Sequence, residues 1–147
     1  MNEQEIHHLL YDIPENVDYT DIPQELDLED VPKERVDKLR DLLHLDDLAV
    51  RFDAALLLTN WGVEDGLNTL IDLFEKGETK GFIPHHLHPY DDTNKHILDA
   101  LIGYWASQTD LHKEQESRKR IYPTIISIIK QAVHSSYSIA QIDFLIK

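Results

Sequence analysis

Residues 47–77 carry the pattern that most constrains the fold of this chain, DLAVRFDAALLLTNWGVEDGLNTLIDLFEKG. Apolar residues recur in its first half at the spacing of one helix face, and further apolar residues fall outside that stripe. A helix that is apolar nearly all round is buried on both sides. Gly62 ends this helix, and a second, amphipathic helix follows after a very short break. The pattern therefore predicts an antiparallel helical hairpin that is covered by further helices.

A weaker copy of the same pattern begins 44 residues later. Similar residues share this offset: Asp47, Arg51, Leu57, Leu58 and Trp61 match Asp91, Lys95, Leu101, Ile102 and Trp105. A period in the forties is typical of two-helix repeats that stack into a solenoid. We expect the two matched helices to pack side by side, with both tryptophans in the core.

The rest of the chain predicts further helices and one extended segment. Helices are expected from Glu3 to Asp12 and from Pro32 to about His44, and again from Asp91. A polar helix should restart near Thr109 or Asp110, with a new helix or a kink at Pro123 and a last helix from Ser138. Residues 13–32 hold three prolines and no sustained period. We expect that stretch to lie across the helices with its carboxylates exposed.

These patterns predict one all-α domain over residues 1–147. Its parts are an acidic N-terminal segment at 1–32, helical repeats at 33–77 and 91–147, and a loop at 78–90.

Charge is spread unevenly along the chain. There are 28 acidic and 14 basic residues, for a net charge of −14. Residues 1–30 contain ten acids and no Lys or Arg, whereas residues 111–147 contain three acids and six bases. An acidic surface repels nucleic acids and lipid headgroups and attracts cationic partners. We therefore expect no binding to nucleic acid or membrane. The acidic segment either serves solubility alone or meets a basic protein partner.

Composition also bounds the chemistry that the chain can perform. It contains no cysteine, which excludes disulfides, a thiolate nucleophile and a thiolate zinc site. The first residues are acidic and polar, and no apolar run approaches the ~20 residues of a membrane span. We expect a soluble cytoplasmic protein.

One cluster of metal-ligand residue types occurs, in the predicted loop. His85, His86 and His88 precede Asp91 and Asp92, and such residues can bind zinc or a transition metal. Ligands packed so closely beside prolines rarely converge on one ion, so we interpret the cluster as a polar loop. No Gly-x-Ser-x-Gly elbow and no glycine-rich phosphate loop is present. We predict no catalytic residue, no metal and no cofactor.

The hairpin at 47–77 resembles a HEAT-like repeat. Together with the acidic N-terminal segment and the size of the chain, it is similar to the HEAT-like immunity proteins of bacterial polymorphic toxin systems, including contact-dependent growth inhibition. The resemblance implies antiparallel hairpins stacked in a short right-handed solenoid. It also implies a cytoplasmic inhibitor, monomeric when free, that binds a cognate basic toxin domain in a 1:1 complex. The implied target is a nuclease, whose active site is occluded by carboxylates in place of phosphates.

The predicted partner surface combines the acidic segment with the acidic starts of helices. We expect contacts from Asp18, Tyr19, Asp21, Glu25, Asp27, Glu29, Asp30, Asp46, Asp47, Glu64, Asp65, Asp72 and Tyr90. Tyr11, Tyr19 and Tyr90 are the expected aromatic anchors. Two alternatives remain: a HEAT-like adaptor or scaffold for a cellular protein, and a metal-dependent enzyme built on the loop with His85, His86 and His88. The neighbouring genes distinguish the first alternative from immunity, and metal analysis tests the second.

Overall fold

A computed structural model of the chain describes residues 1–79, 93–109 and 111–132. All regular structure in these ranges is helical, so the predicted all-α class is confirmed. None of the helices in these ranges is long and apolar enough to cross a membrane. The helices are α1 (Glu3–Tyr11), α2 (Lys33–Leu42), α3 (Leu48–Asn60), α4 (Glu64–Glu75), α5 (Thr93–Thr109) and α6 (Glu114–Ala132), with two short 3₁₀ helices, Pro23–Glu25 and Leu28–Asp30, between α1 and α2.

Helices α3 and α4 form the predicted hairpin. The Asp47 side chain caps α3 by accepting a hydrogen bond from the Val50 N–H at 3.2 Å. Gly62 follows the end of α3 with φ +84°, a conformation that side chains rarely adopt. Helices α3 and α4 approach closely at Gly66, where a Cβ atom would lie 2.4 Å from the Cβ atom of Leu58. At that point the backbone of α4 at Gly66 packs directly against the Leu58 side chain of α3.

Helix α3 is the centre of the fold, as its all-round apolar pattern predicts. Helices α2, α4 and α5 all pack against it, and so does the 3₁₀ helix at Pro23–Glu25. Helix α6 packs on α5 and more lightly on α4. The matched helices α3 and α5 thus lie side by side as predicted. The buried residues of α3 are Phe52, Ala54, Ala55, Leu56, Leu57, Leu58 and Thr59.

The two halves of the internal repeat are not buried alike. Trp61 is 3% exposed, whereas its counterpart Trp105 is only partly buried, and Ile102 is also partly buried where Leu58 is fully buried. The prediction that both tryptophans lie in the core is therefore wrong for Trp105. Among the described elements, α3 is covered on several sides, whereas α5 packs mainly on α3 and α6.

Helix α6 begins at Glu114 rather than near Thr109 or Asp110, where the sequence predicts its start. It runs through Pro123 as one helix, so of the two predicted outcomes at Pro123 the new helix is wrong and the kink stays a prediction. Ile121 and Ile125 are buried on one side of this helix, while Pro123 is exposed. Because the apolar stripe continues past the proline, tertiary packing outweighs the missing backbone N–H. The predicted helix from Ser138, the histidine cluster and Tyr90 lie outside the described residues.

The part of the acidic segment that connects α1 to α2 lies against the helices. Pro23, Leu26 and Val31 are buried, although all three sit in or beside single 3₁₀ turns, and Leu26 and Val31 belong to the hydrophobic core. The indole Nε1 of Trp61 donates a hydrogen bond to the Pro23 carbonyl at 2.8 Å. The apolar residues of the segment thus hold it down, and its carboxylates point outward.

Candidate functional site

Two clefts open side by side where the acidic segment crosses α3 and α5. The Asp53 cleft has a volume of about 430 Å³ and the Leu28 cleft about 600 Å³. Gln24, Glu25 and Asn60 line both, so the two clefts share a wall. We call the two clefts together the acidic face.

Carboxylates line both clefts of the acidic face. Glu25, Asp53 and Asp99 line the Asp53 cleft. Glu25, Asp27 and Glu29 line the Leu28 cleft. Among the described residues that line the two clefts there is no Lys or Arg. The face therefore presents concentrated negative charge to any partner.

Exposed apolar side chains lie among these carboxylates. Tyr11 and Ile22 line the Asp53 cleft, and Leu28 and Leu111 line the Leu28 cleft. Each of the four exposes between 42% and 60% of its surface. Protein interfaces combine an apolar centre with charged groups around it. The acidic face has both components.

Trp61 fixes the position of the acidic face on the fold. Besides its hydrogen bond to Pro23, its ring lies 5.4 Å from the guanidinium carbon of Arg35, within cation–π range. Arg35 Nε in turn donates to the Leu9 carbonyl at 2.9 Å, and burial lowers the pKa of Arg35. One indole thus connects α1, α2 and the wall between the two clefts.

Hydrogen bonds inside the acidic segment orient several of its side chains. The Tyr19 hydroxyl donates to Asp30 Oδ2 at 2.8 Å and accepts from the Asp27 N–H at 2.9 Å. The Thr20 hydroxyl donates to Glu25 Oε2 at 2.7 Å. Glu25 is therefore held in place at the wall between the clefts. Tyr19 connects two parts of the segment.

Asp53 is a carboxylate of the face with unfavourable surroundings. It is partly buried and makes no side-chain hydrogen bond or ion pair with other described residues. Burial, and then the charge of Asp47, raise its pKa above the ordinary value of 3.8. Burial and the charge of Asp53 likewise raise the pKa of Tyr11 beside it. Asp53 has therefore lost part of its hydration without gaining a cation.

We expect the substitution Asp53→Asn to stabilise the protein at neutral pH. Because the folded-state pKa is raised, ionised Asp53 opposes folding, and its favourable contribution exists only below the unfolded-state value near 3.8. Asn keeps the shape and removes the charge. The gain at pH 7 should stay below about 1 kcal/mol, since the group is still partly hydrated. It should shrink as the pH falls toward 4. Urea unfolding of both proteins at several pH values measures it.

Asp46→Asn is the matched control for this prediction. Asp46 is exposed and makes no side-chain hydrogen bond or ion pair within the described chain. Its removal should change the free energy of unfolding little at any pH. A less stable Asp53→Asn variant at pH 7 would show that ionised Asp53 makes a stabilising interaction and would contradict our interpretation.

Three of the predicted partner residues line the acidic face, namely Glu25, Asp27 and Glu29. Asp18 and Asp21 are exposed on the same segment without lining either cleft. The remaining predicted residues within the described chain already have local roles or lie elsewhere, and Tyr90 lies outside the described residues.

Several of the other predicted carboxylates contact groups of the same chain. Asp47 caps α3 and Asp72 pairs with Lys76 at 3.0 Å. Asp65 lies 2.9 Å from Arg40 Nε, but that nitrogen has no well-aligned hydrogen bond, so the contact is mainly one of charge. Glu64 lines a separate small cleft that also contains Lys113 and Arg120. These carboxylates are less available to a cationic partner than those of the acidic face.

Sequence reasoning missed Asp53, Asp99 and the apolar residues Ile22, Leu28 and Leu111. One signal for Asp53 was present: it is the only acid in α3, which is otherwise almost wholly apolar. The other residues join the face only because α5 and the acidic segment meet there. Within the described part of the chain, no group of three or more His, Asp or Glu residues is arranged to hold a metal ion.

No protein-family model matches this chain, and no curated protein or solved structure is significantly similar to it.

Proposed function

We propose that this chain is an immunity-type inhibitor that binds a cationic toxin domain through the acidic face. The observation that carries the proposal is the pairing of two adjoining clefts, both lined by carboxylates and exposed apolar side chains, with no Lys or Arg among their described residues. Such a surface is complementary to a basic protein and repels nucleic acid.

The proposed mechanism is occlusion of a basic substrate-binding cleft. A nuclease holds phosphates with Lys and Arg, and these residues provide most of its affinity for nucleic acid. Glu25, Asp27 and Glu29 offer carboxylates to the same cations, and Leu28 and Leu111 offer apolar contacts beside them. The hydrogen bond from Thr20 already restricts the Glu25 side chain, so less conformational entropy is lost when Glu25 binds a partner. The inhibitor would then compete directly with the substrate.

We also propose that the hairpins stack in the manner of HEAT-like repeats, in a short right-handed solenoid. Support comes from the three-residue link between α3 and α4, which makes them antiparallel neighbours, and from the packing of α5 on α3 and of α6 on α5. In this arrangement the acidic segment covers one end of α3 and places its carboxylates beside α5. The solenoid serves as a rigid support for the acidic face.

Co-expression with a toxin tests the proposed function. The probe is the toxin domain encoded by the reading frame next to the gene of this chain, and the readout is growth of cells that produce it. The wild-type chain should restore growth. A variant with Glu25, Asp27 and Glu29 changed to Gln, Asn and Gln should protect at least about tenfold less well at equal expression, because clustered charge steers association.

The matched control changes three exposed acids outside the two clefts, Asp41, Asp46 and Glu75, to their amides. It alters net charge by the same amount and should still protect. Failure of the wild-type chain to restore growth or to bind the toxin domain would refute the immunity proposal. Equal loss of protection in both variants would refute the role of the acidic face.

A further inference from the structure

The Asp53 cleft joins an apolar floor to a charged wall. Leu10, Leu56 and Leu57 line its buried side, while Tyr11 and Ile22 stand about half exposed at its mouth. We infer that this cleft receives an arginine side chain of the protein partner. This inference rests on the proposed function and names the chemical group that the acidic face recognises.

The charge of the cleft selects a cation. Glu25 and Asp53 line it, and so does Asp99, which already interacts with another group of the chain. The described residues of the lining include no Lys or Arg. Glu25 is oriented by the Thr20 hydroxyl at 2.7 Å. A cationic side chain that enters the cleft therefore meets carboxylates on more than one side.

The position of Asp53 favours binding of that cation. Pairing two charges in a protein usually costs the hydration of both groups. Asp53 is already partly buried and has no hydrogen-bond or ion-pair partner among the described residues. Part of its desolvation has thus occurred during folding, so an entering cation gains more than it would at an exposed carboxylate.

The mouth of the cleft favours arginine over lysine. Tyr11 lies close enough to Asp53 for the carboxylate charge to affect the ionisation of its hydroxyl, and it is 49% exposed. A planar guanidinium stacks on an aromatic ring and can donate to two carboxylates at once through its five N–H groups. A lysine ammonium is a point charge that keeps its hydration more strongly. The methylene groups of arginine also fit the apolar floor formed by Leu56 and Leu57.

A titration with single amino-acid derivatives tests the inference on the full chain. The probes are N-acetyl-arginine amide, N-acetyl-lysine amide and the neutral N-acetyl-citrulline amide, followed by backbone NMR shifts. The arginine derivative should shift Tyr11, Ile22 and Asp53 with a millimolar Kd. The lysine derivative should bind more weakly, and citrulline, which has nearly the same shape but no charge, should produce no saturable shift.

Variants assign the binding to the cleft. Asp53→Asn should weaken arginine binding about tenfold, the factor expected for loss of one charge-assisted hydrogen bond. Glu25→Gln is the second variant and should act in the same direction if Asp53→Asn perturbs folding. The control Asp46→Asn should leave binding unchanged. Equal binding of citrulline, undiminished binding in both cleft variants, or shifts spread equally over exposed acids outside the cleft would overturn the inference.

This titration contains no toxin, so its outcome is separate from that of the co-expression test. If the cleft binds arginine but the chain does not protect cells from the toxin, the arginine site is supported and the immunity proposal is refuted. Protection without arginine binding would retain the immunity proposal and remove the Asp53 cleft from its mechanism.

Discussion

Trp61→Ala should lower the free energy of unfolding by about 3–5 kcal/mol, the range for removal of a large buried aromatic side chain. The indole is 3% exposed and belongs to the hydrophobic core. Its loss also removes the hydrogen bond to the Pro23 carbonyl and the stacking partner of Arg35. The loss of these two contacts adds to the cost of the cavity. Urea unfolding monitored by circular dichroism measures the change.

Two further variants separate the contributions of Trp61. Trp61→Phe keeps most of the packing but removes the indole N–H that donates to the Pro23 carbonyl, which then keeps only its bond from the Leu26 N–H. It should cost about 1–2 kcal/mol. Trp105→Ala, at the matching position of the repeat, should cost about 1–2 kcal/mol because Trp105 is only partly buried. A loss in Trp105→Ala as large as in Trp61→Ala would contradict the difference in burial between the two halves of the repeat.

The α3–α4 hairpin could be predicted from the sequence because its determinants are local. Apolar spacing, the Asp47 cap and Gly62 all lie within the hairpin itself. Pro123 shows where such local rules fail, since burial of Ile121 and Ile125 on either side of it keeps α6 continuous. The prediction that Trp105 is buried failed for a related reason. Its burial depends on which helices cover α5, and that coverage is a property of the whole fold.

The clefts of the acidic face could not be predicted, although most of their acids were noticed. The count of charges in residues 1–30 identified the segment, but its path is set by contacts such as that between Trp61 and Pro23, which are 38 residues apart in sequence. The same path decides that Glu25 lies on the shared wall while Asp21 does not line either cleft. Asp53 and Tyr11 likewise line the same cleft only because α1 packs on α3.

The predicted stabilisation by Asp53→Asn and the predicted loss of arginine binding have the same cause, the charge of Asp53. A charge that opposes folding but aids binding is a common exchange of stability for function. A variant that became both more stable at neutral pH and weaker in binding would therefore connect the cleft to recognition. The same substitution would have neither effect if Asp53 were an ordinary hydrated surface acid.

Recognition through the acidic face depends on where the negative charge lies, rather than on its total amount. Two variants with equal net charge can isolate it. The face variant changes Glu25, Asp27, Glu29 and Asp53 to their amides, and the control variant does the same to Asp41, Asp46, Glu75 and Glu78, which are exposed outside the two clefts. Both variants shift the net charge from −14 by the same four units, to −10. Both must first be shown to be folded.

The association rate constant of each variant is measured at about 50 and 200 mM salt with the toxin domain that the proposed function expects in the neighbouring reading frame. For the wild-type chain we expect fast association that slows markedly at the higher salt, because screening shortens the range of charge steering. The face variant should associate about 10- to 100-fold more slowly at low salt. The control variant should stay within about threefold of wild type, since distant exposed charges are largely screened. Equal slowing of both variants, or a wild-type rate that does not depend on salt, would contradict the account.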